Sequence, residues 1–127
     1  MAVTVTLDPI DPTAAYDQIA KTSAGSVVFH YAVVKEQRDS TGVTTRIDYA
    51  AAGDTEAELA EIAAELTGKW KLADVLLVRR LGCLGVGDII SLVAASSPNS
   101  EDVFAACRHG ISCLKKMKTI AKKEVYG

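Results

Sequence analysis

The chain has 127 residues, 49% of them hydrophobic and 24% charged, with 14 Lys+Arg against 16 Asp+Glu. A chain of roughly 100–150 residues buries about two thirds of its unfolded surface, so a single domain over residues 1–127 is expected without a metal or disulfide to hold it. No apolar run approaches the roughly 20 residues that span a bilayer, and Met1 to Asp8 lack the basic start and apolar middle of a signal peptide; the expectation is a cytoplasmic protein with no membrane association.

Asp11-Pro12-Thr13 predicts a helix start, with Asp11 able to cap and Pro12 at the first helical position, where its missing N–H costs nothing. That helix should end by Gly25. Ser26 to Val34 is β-branched and aromatic, as a buried strand should be, and Val43 to Tyr49 reads as its hairpin partner across the polar loop Lys35 to Gly42. Thr55-Glu-Ala-Glu58 has the form of a capping box. Leu59, Ile62, Ala63, Leu66 and Trp70 follow it on one helical face.

Asp74 to Arg79 and Asp88 to Ala95 predict two further strands around the glycine-rich segment Leu81 to Gly87. Its glycine spacing is neither GxGxxG nor GxxxxGK[ST], so it reads as a tight strand connection rather than a phosphate loop. Ser96-Ser-Pro-Asn-Ser100 breaks the chain and supplies caps for a second long helix, whose buried stripe is expected at Phe104, Cys107, Ile111 and Leu114. Glu101 and Asp102 in its first turn and Lys115, Lys116 and Lys118 near its end complement the helix dipole. Helices alternating with antiparallel strand pairs predict an α+β fold, an antiparallel or mixed sheet packed with two or three helices.

Cys83, Cys107 and Cys113 are spaced 24 and 6 apart, matching neither a CxxC pair nor a zinc knuckle, and read as reduced, mostly buried thiols. With only His30 and His109, no metal site is expected, and mid-strand His30 is read as a packed residue without a role. Charge is unevenly spread: residues 1–66 carry 11 acids and 4 bases, residues 67–127 carry 5 acids and 10 bases. An anion site therefore belongs in the second half, where Lys115, Lys116, Lys118, Lys122 and Lys123 cluster. The aromatics do not interleave with these lysines as a nucleic-acid stacking platform would, so a small phosphorylated ligand is favoured and nucleic acid is not.

Spacings in the C-terminal half carry more. Phe104-Ala105, then Lys115, then Lys122-Lys123-Glu124 stand at fixed separations, preceded by Arg80-x-Gly82-x-Leu84-x-x-Gly87-Asp88 and by Ile47-Asp48-Tyr49. From Ser26 to Glu124 this order resembles the large, catalytic subunit of molybdopterin synthase. The resemblance implies that family's α/β hammerhead fold and its role in molybdenum cofactor biosynthesis. There, two sulfurs pass to a cyclic pyranopterin monophosphate from the thiocarboxylated Gly-Gly tail of a ubiquitin-like small subunit. It further implies a homodimer that forms a heterotetramer with two such partners, and a sulfur-transferring enzyme that needs no cofactor.

By the same resemblance Lys115 and Lys122 match the two key lysines, Lys115 beside the thiocarboxylate and Lys122 on the pterin or a developing negative charge. Lys123, Arg79, Arg80, Lys35 and the pair Asn99-Ser100 become substrate-binding candidates. The match has departures: Asn99-Ser100 replaces a family His-Arg, Val34 replaces an Arg, and Thr119 and Ala121 replace Pro and Trp. Each missing cation removes a charge-assisted contact of roughly 1.5–3 kcal/mol. Two readings stay open: a sulfur-transferring enzyme, or a catalytically weakened relative acting as a dimeric scaffold or partner-binding protein.

Overall fold

The computed structural model describes residues 1–127 and resolves the chain into two sheets and three helices. The first sheet has strand order β1 (Ala2–Thr6), β5 (Asp74–Arg80), β7 (Ile89–Ser97), β2 (Ser26–Val33), with β1 parallel to β5 and the other pairs antiparallel. In the second, β4 (Gly42–Ala51) is flanked by β6 (Gly82–Gly85) and β8 (Ile120–Tyr126), and β3 (Arg38–Asp39) folds back on its start. Helices α2 (Thr55–Lys69) and α3 (Ser100–Lys115) cover one face of the first sheet, and α1 (Pro12–Gln18) the other. This is the mixed-sheet α+β class expected.

Strand parity explains the layering, because alternate residues point to opposite faces. Val75, Leu77, Val93 and Ala95 meet Leu59, Ile62, Ala63 and Leu66 of α2 and Val103, Cys107 and Leu114 of α3 in the largest apolar cluster. Leu76, Leu92 and Ala94, one residue out of phase, meet Ala15 and Ile19 on the α1 side. A third cluster of Val34, Ile47, Tyr49, Leu81 and Leu84 joins the two sheets. As expected, Asp11 caps α1, accepting a hydrogen bond from the Thr13 amide at 2.9 Å, with Pro12 as its first residue.

Several expectations are corrected. Segments 26–34 and 43–49 do not form a hairpin: β2 runs antiparallel to β7, from Ser26 opposite Ser97 to Val33 opposite Ile89, while β4 lies in the other sheet. Apolar alternation identifies a strand but not its partner, and the true hairpin here is β3 with β4, Arg38 opposite Val43. The alternating Ala2-Val-Thr-Val-Thr6 is an edge strand, paired in parallel with β5. The glycine-rich connection contains strand β6, paired with β4 through Tyr49 opposite Gly82 and Ile47 opposite Leu84. Gly82 and Gly87 have φ of +103° and +89°, so the turns on either side of this strand need residues without Cβ.

No capping box forms at α2. Asp54 is the cap, accepting from the Ala57 amide at 3.0 Å, which frees Glu58 for a distant contact. The buried face of α3 is also rotated from the expected stripe: Val103, Ala106, Cys107, Gly110 and Leu114 face inward, and Phe104 is 58% exposed. Small residues set this rotation by letting the helix approach the sheet. A Cβ on Gly110 would lie 3.0 Å from Val93 Cγ1 and 3.2 Å from Leu66 Cδ1. Gly110→Val should therefore lower unfolding stability by about 1–2 kcal/mol through overpacking, measurable by urea titration.

Candidate active site

Where α3 ends, the helix-covered face of the first sheet emerges into a cleft of about 330 Å³, within the size range of small-molecule sites. Its floor follows from register. Arg79 pairs with Ser91, which pairs with Ala32, and Leu77 pairs with Val93, which pairs with His30. Arg79, Ser91, Ala32, Val93 and His30 therefore share one face and all line the cleft. The walls come from Ile111, Leu114 and Lys115 of α3, Met117 of the following turn, Ile120 and Lys122 of β8, and Tyr49 of β4.

Arg79 is the unusual residue. Only 6% exposed, it occupies a strand position whose neighbours two residues back are apolar, and no acidic side chain pairs with it. Its guanidinium carbon lies 4.3 Å from the Tyr49 ring centroid, a cation–π contact, and its Nε donates to the Arg80 carbonyl at 3.4 Å. Burial lowers the Arg79 pKa and Tyr49 pulls it back up, while burial raises the Tyr49 pKa and Arg79 opposes that rise. Guanidinium stays charged through such shifts, so the cleft holds a buried cation lacking an anionic partner.

Two ammonium groups join it. Lys115 is the last residue of α3 and is exposed. Lys122 stands opposite Tyr49 in the β4–β8 ladder, on the same side of the sheet, with its Nζ 4.0 Å from Glu124 Oε1. The other oxygen of Glu124 accepts from Thr44 Oγ1 at 2.7 Å, which fixes the carboxylate. The chain thus brings together Lys115, Lys122 and Arg79 of the residues singled out in the sequence.

The rest lie elsewhere. Lys123 is opposite Asp48, out of phase with Lys122, and Arg80 points away from Arg79, its Nη1 3.6 Å from Asp88 Oδ2. Lys35 lines a shallow polar depression with Glu36 to Asp39. Asn99 caps α3, its Oδ1 accepting from the Glu101 and Asp102 amides at 2.9 and 3.3 Å, and Ser100 opens that helix. Val34, where the resembling family has arginine, is 2% exposed in the apolar cluster between the sheets. Cys107 is buried, its thiol pushed up to about 11 chiefly by burial, whereas Cys83 is exposed, contrary to the expectation of mostly buried thiols.

Sequence reading missed three contributors. His30, read from the sequence as a packed residue, lines the cleft with a buried Nδ1 that has no hydrogen-bond partner; the parity of β2 puts it on one face with Ala32. Ser91 was missed for the same reason. Glu58 carries a capping-box signal in the sequence, and its role here is a different one. Its carboxylate accepts from the Lys118 amide at 2.9 Å, the Thr119 amide at 3.0 Å and Thr119 Oγ1 at 2.6 Å. The Thr119 carbonyl is held in turn by Thr55 Oγ1 at 3.0 Å and the Ala52 amide at 2.7 Å. The start of α2 thereby latches the turn between Lys115 and Lys122 and sets where both point.

Comparison with known proteins agrees with this architecture. The sequence profile of the MoaE protein family matches residues 5–117. The molybdopterin synthase catalytic subunit of Staphylococcus carnosus is 32% identical over 124 residues, covering 96% of this chain and 81% of that protein. The crystal structure of molybdopterin synthase from Staphylococcus aureus superposes with a TM-score of 0.88 at 29% identity, covering 97% of this chain and 90% of that one. A chain from the complex of subunits 1 and 2 of the molybdopterin-converting factor from Helicobacter pylori shares the fold at 14% identity, with a TM-score of 0.70, covering 98% of this chain and 89% of that one. Profile, sequence relatives and fold agree: the chain belongs to the MoaE family of molybdopterin synthase catalytic subunits.

Proposed function

We propose that this protein acts in molybdenum cofactor biosynthesis as the sulfur-transferring subunit, passing sulfur from a thiocarboxylated small partner to a cyclic pyranopterin monophosphate. The observation that carries the reading is Arg79, a buried cation without a carboxylate partner, facing the same cleft as Lys115 and Lys122. Such a cleft suits a ligand with an apolar ring body and a phosphate: Ile90, Val93, Ile111 and Met117 offer apolar walls and three cations offer the counter-charge. Lys115, at the open end of α3, is placed to meet an acyl carbon arriving with a partner's extended tail and to stabilise its developing oxyanion. Lys122 and Arg79 hold the substrate phosphate, and Tyr49 keeps the guanidinium in place.

In this reading residues 1–127 work as one domain in a homodimer, with a small subunit bound to each protomer. The Helicobacter pylori chain of the same fold comes from a complex with that class of partner. No helix is long and apolar enough to cross a membrane, which accords with a cytoplasmic site of action. The second reading, a catalytically weakened scaffold, draws on Val34 in the apolar core and Asn99 committed to helix capping, since neither supplies the cleft with a cation. The deciding experiment mixes the purified protein with a thiocarboxylated small subunit and the cyclic pterin and measures dithiolene product. Product above the no-enzyme background supports the enzyme, and its absence with a bound partner supports the scaffold.

A further inference from the structure

Between α2 and α3, at a partly exposed spot beside the core, three donors of different kinds converge. Glu65 comes from α2. His109 and Cys113 are one turn apart on α3, at the i and i+4 positions that point the same way. Glu65 Oε2 lies 2.6 Å from His109 Nε2 and 3.7 Å from Cys113 Sγ, and the three donor atoms fall within 4.8 Å of one another. The Trp70 indole packs on the imidazole with ring centroids 5.6 Å apart, restricting the ring's orientation.

We propose that Glu65, His109 and Cys113 form a binding site for a zinc-type divalent cation that clamps α2 to α3. One carboxylate oxygen, one imidazole nitrogen and one sulfur make a donor set suited to zinc or cobalt and unsuited to magnesium or calcium, which take oxygen. Bonds of about 2.0–2.3 Å to a tetrahedral ion place neighbouring ligand atoms about 3.3–3.8 Å apart. The Cys113–Glu65 separation of 3.7 Å already fits that spacing, and the His109–Glu65 pair has to open from 2.6 Å, which half-exposed side chains can do by small rotations.

The fourth position faces solvent and takes water. Binding replaces the Cys113 S–H bond by a metal–sulfur bond and releases that proton to solvent. Lys69 approaches the other Glu65 oxygen at 3.7 Å, and its long, half-exposed side chain can turn into water as the cation enters. The sequence could not show this site, because its ligands come from two helices with no metal-binding spacing between them. Cys113 precedes Lys115 by two residues, so the clamp would steady the turn that presents that lysine, but the site stands whether or not the cleft transfers sulfur.

The test is titration of the metal-free full chain with Co2+, a spectroscopic stand-in for zinc. One equivalent should bind with a thiolate-to-cobalt charge-transfer band that Zn2+ abolishes by displacement, and Zn2+ should raise the thermal midpoint. Cys113→Ser should remove the band, and Glu65→Gln and His109→Asn should each weaken binding about tenfold or more, the least expected for a direct ligand. Circular dichroism without metal checks that each variant folds; Cys113→Ala and Glu65→Ala replace any that does not. Absence of the band, or unchanged affinity in the variants of any one ligand, overturns the site.

Discussion

Lys115→Ala is expected to cut sulfur transfer by about 10²–10³-fold, the usual cost of losing one oxyanion-stabilising group, while leaving the fold intact. The two halves of this expectation rest on different facts. Lys115 borders the cleft beside Leu114 and Met117, so its charge is available to a reacting group there. It is also exposed, forms no ion pair and contributes to the helix only through the dipole, worth roughly 0.3–1 kcal/mol. Single-turnover kinetics with thiocarboxylated partner, alongside thermal unfolding, separates the two. A variant with normal rates would remove Lys115 from the chemistry.

Glu58→Ala should have the second large effect, and on both stability and activity. The carboxylate accepts three donors from the 118–119 turn, and hydrogen bonds to a charged group are worth roughly 1.5–3 kcal/mol each before allowance for solvent. A total loss of about 2–3 kcal/mol is expected, since the side chain is only partly buried. Because the turn links Lys115 to Lys122, its loosening should also slow turnover about tenfold or more, as misplaced catalytic groups do.

A pH signature accompanies this. Burial alone would raise the Glu58 pKa, but the bonds from Thr119 Oγ1 and the Lys118 and Thr119 amides outweigh it, and the net shift is downward from 4.5. A carboxylate whose folded pKa is lowered adds stability above its unfolded pKa and loses it as pH falls through the folded value. Urea midpoints measured downward from about pH 6 should therefore fall more steeply below that value for the parent than for Glu58→Gln. Parallel profiles would mean the latch contributes nothing.

Legibility in the sequence followed the range of the interaction. The α2 stripe of Leu59, Ile62, Ala63 and Leu66 could be read because its period repeats along one helix, and Asp11-Pro12 because a cap is local. The hairpin error and the rotated face of α3 both came from contacts far apart in sequence. Which strand β2 joins depends on β7, some sixty residues on, and the inward turn of Gly110 depends on Val93 and Leu66. Within the cleft, Lys115 and Lys122 were reached through spacing and resemblance. Arg79 was one of two adjacent arginines, and the strand's phase decided between them. His30 and Glu58 act through neighbours on other elements: the phase of β2 gives the face of His30 but not the cleft it lines, and the capping-box pattern at Glu58 points to its own helix rather than to the 118–119 turn.

Calorimetric binding of the cyclic pterin monophosphate decides whether Arg79 and Lys122 form one anion site in the cleft. The parent should bind, with affinity falling as salt rises, and Arg79→Met and Lys122→Ala should each weaken binding about tenfold or more, a charge-assisted contact being worth roughly 1.5–3 kcal/mol. Equal, salt-insensitive affinity in the parent and both folded variants would place the ligand elsewhere.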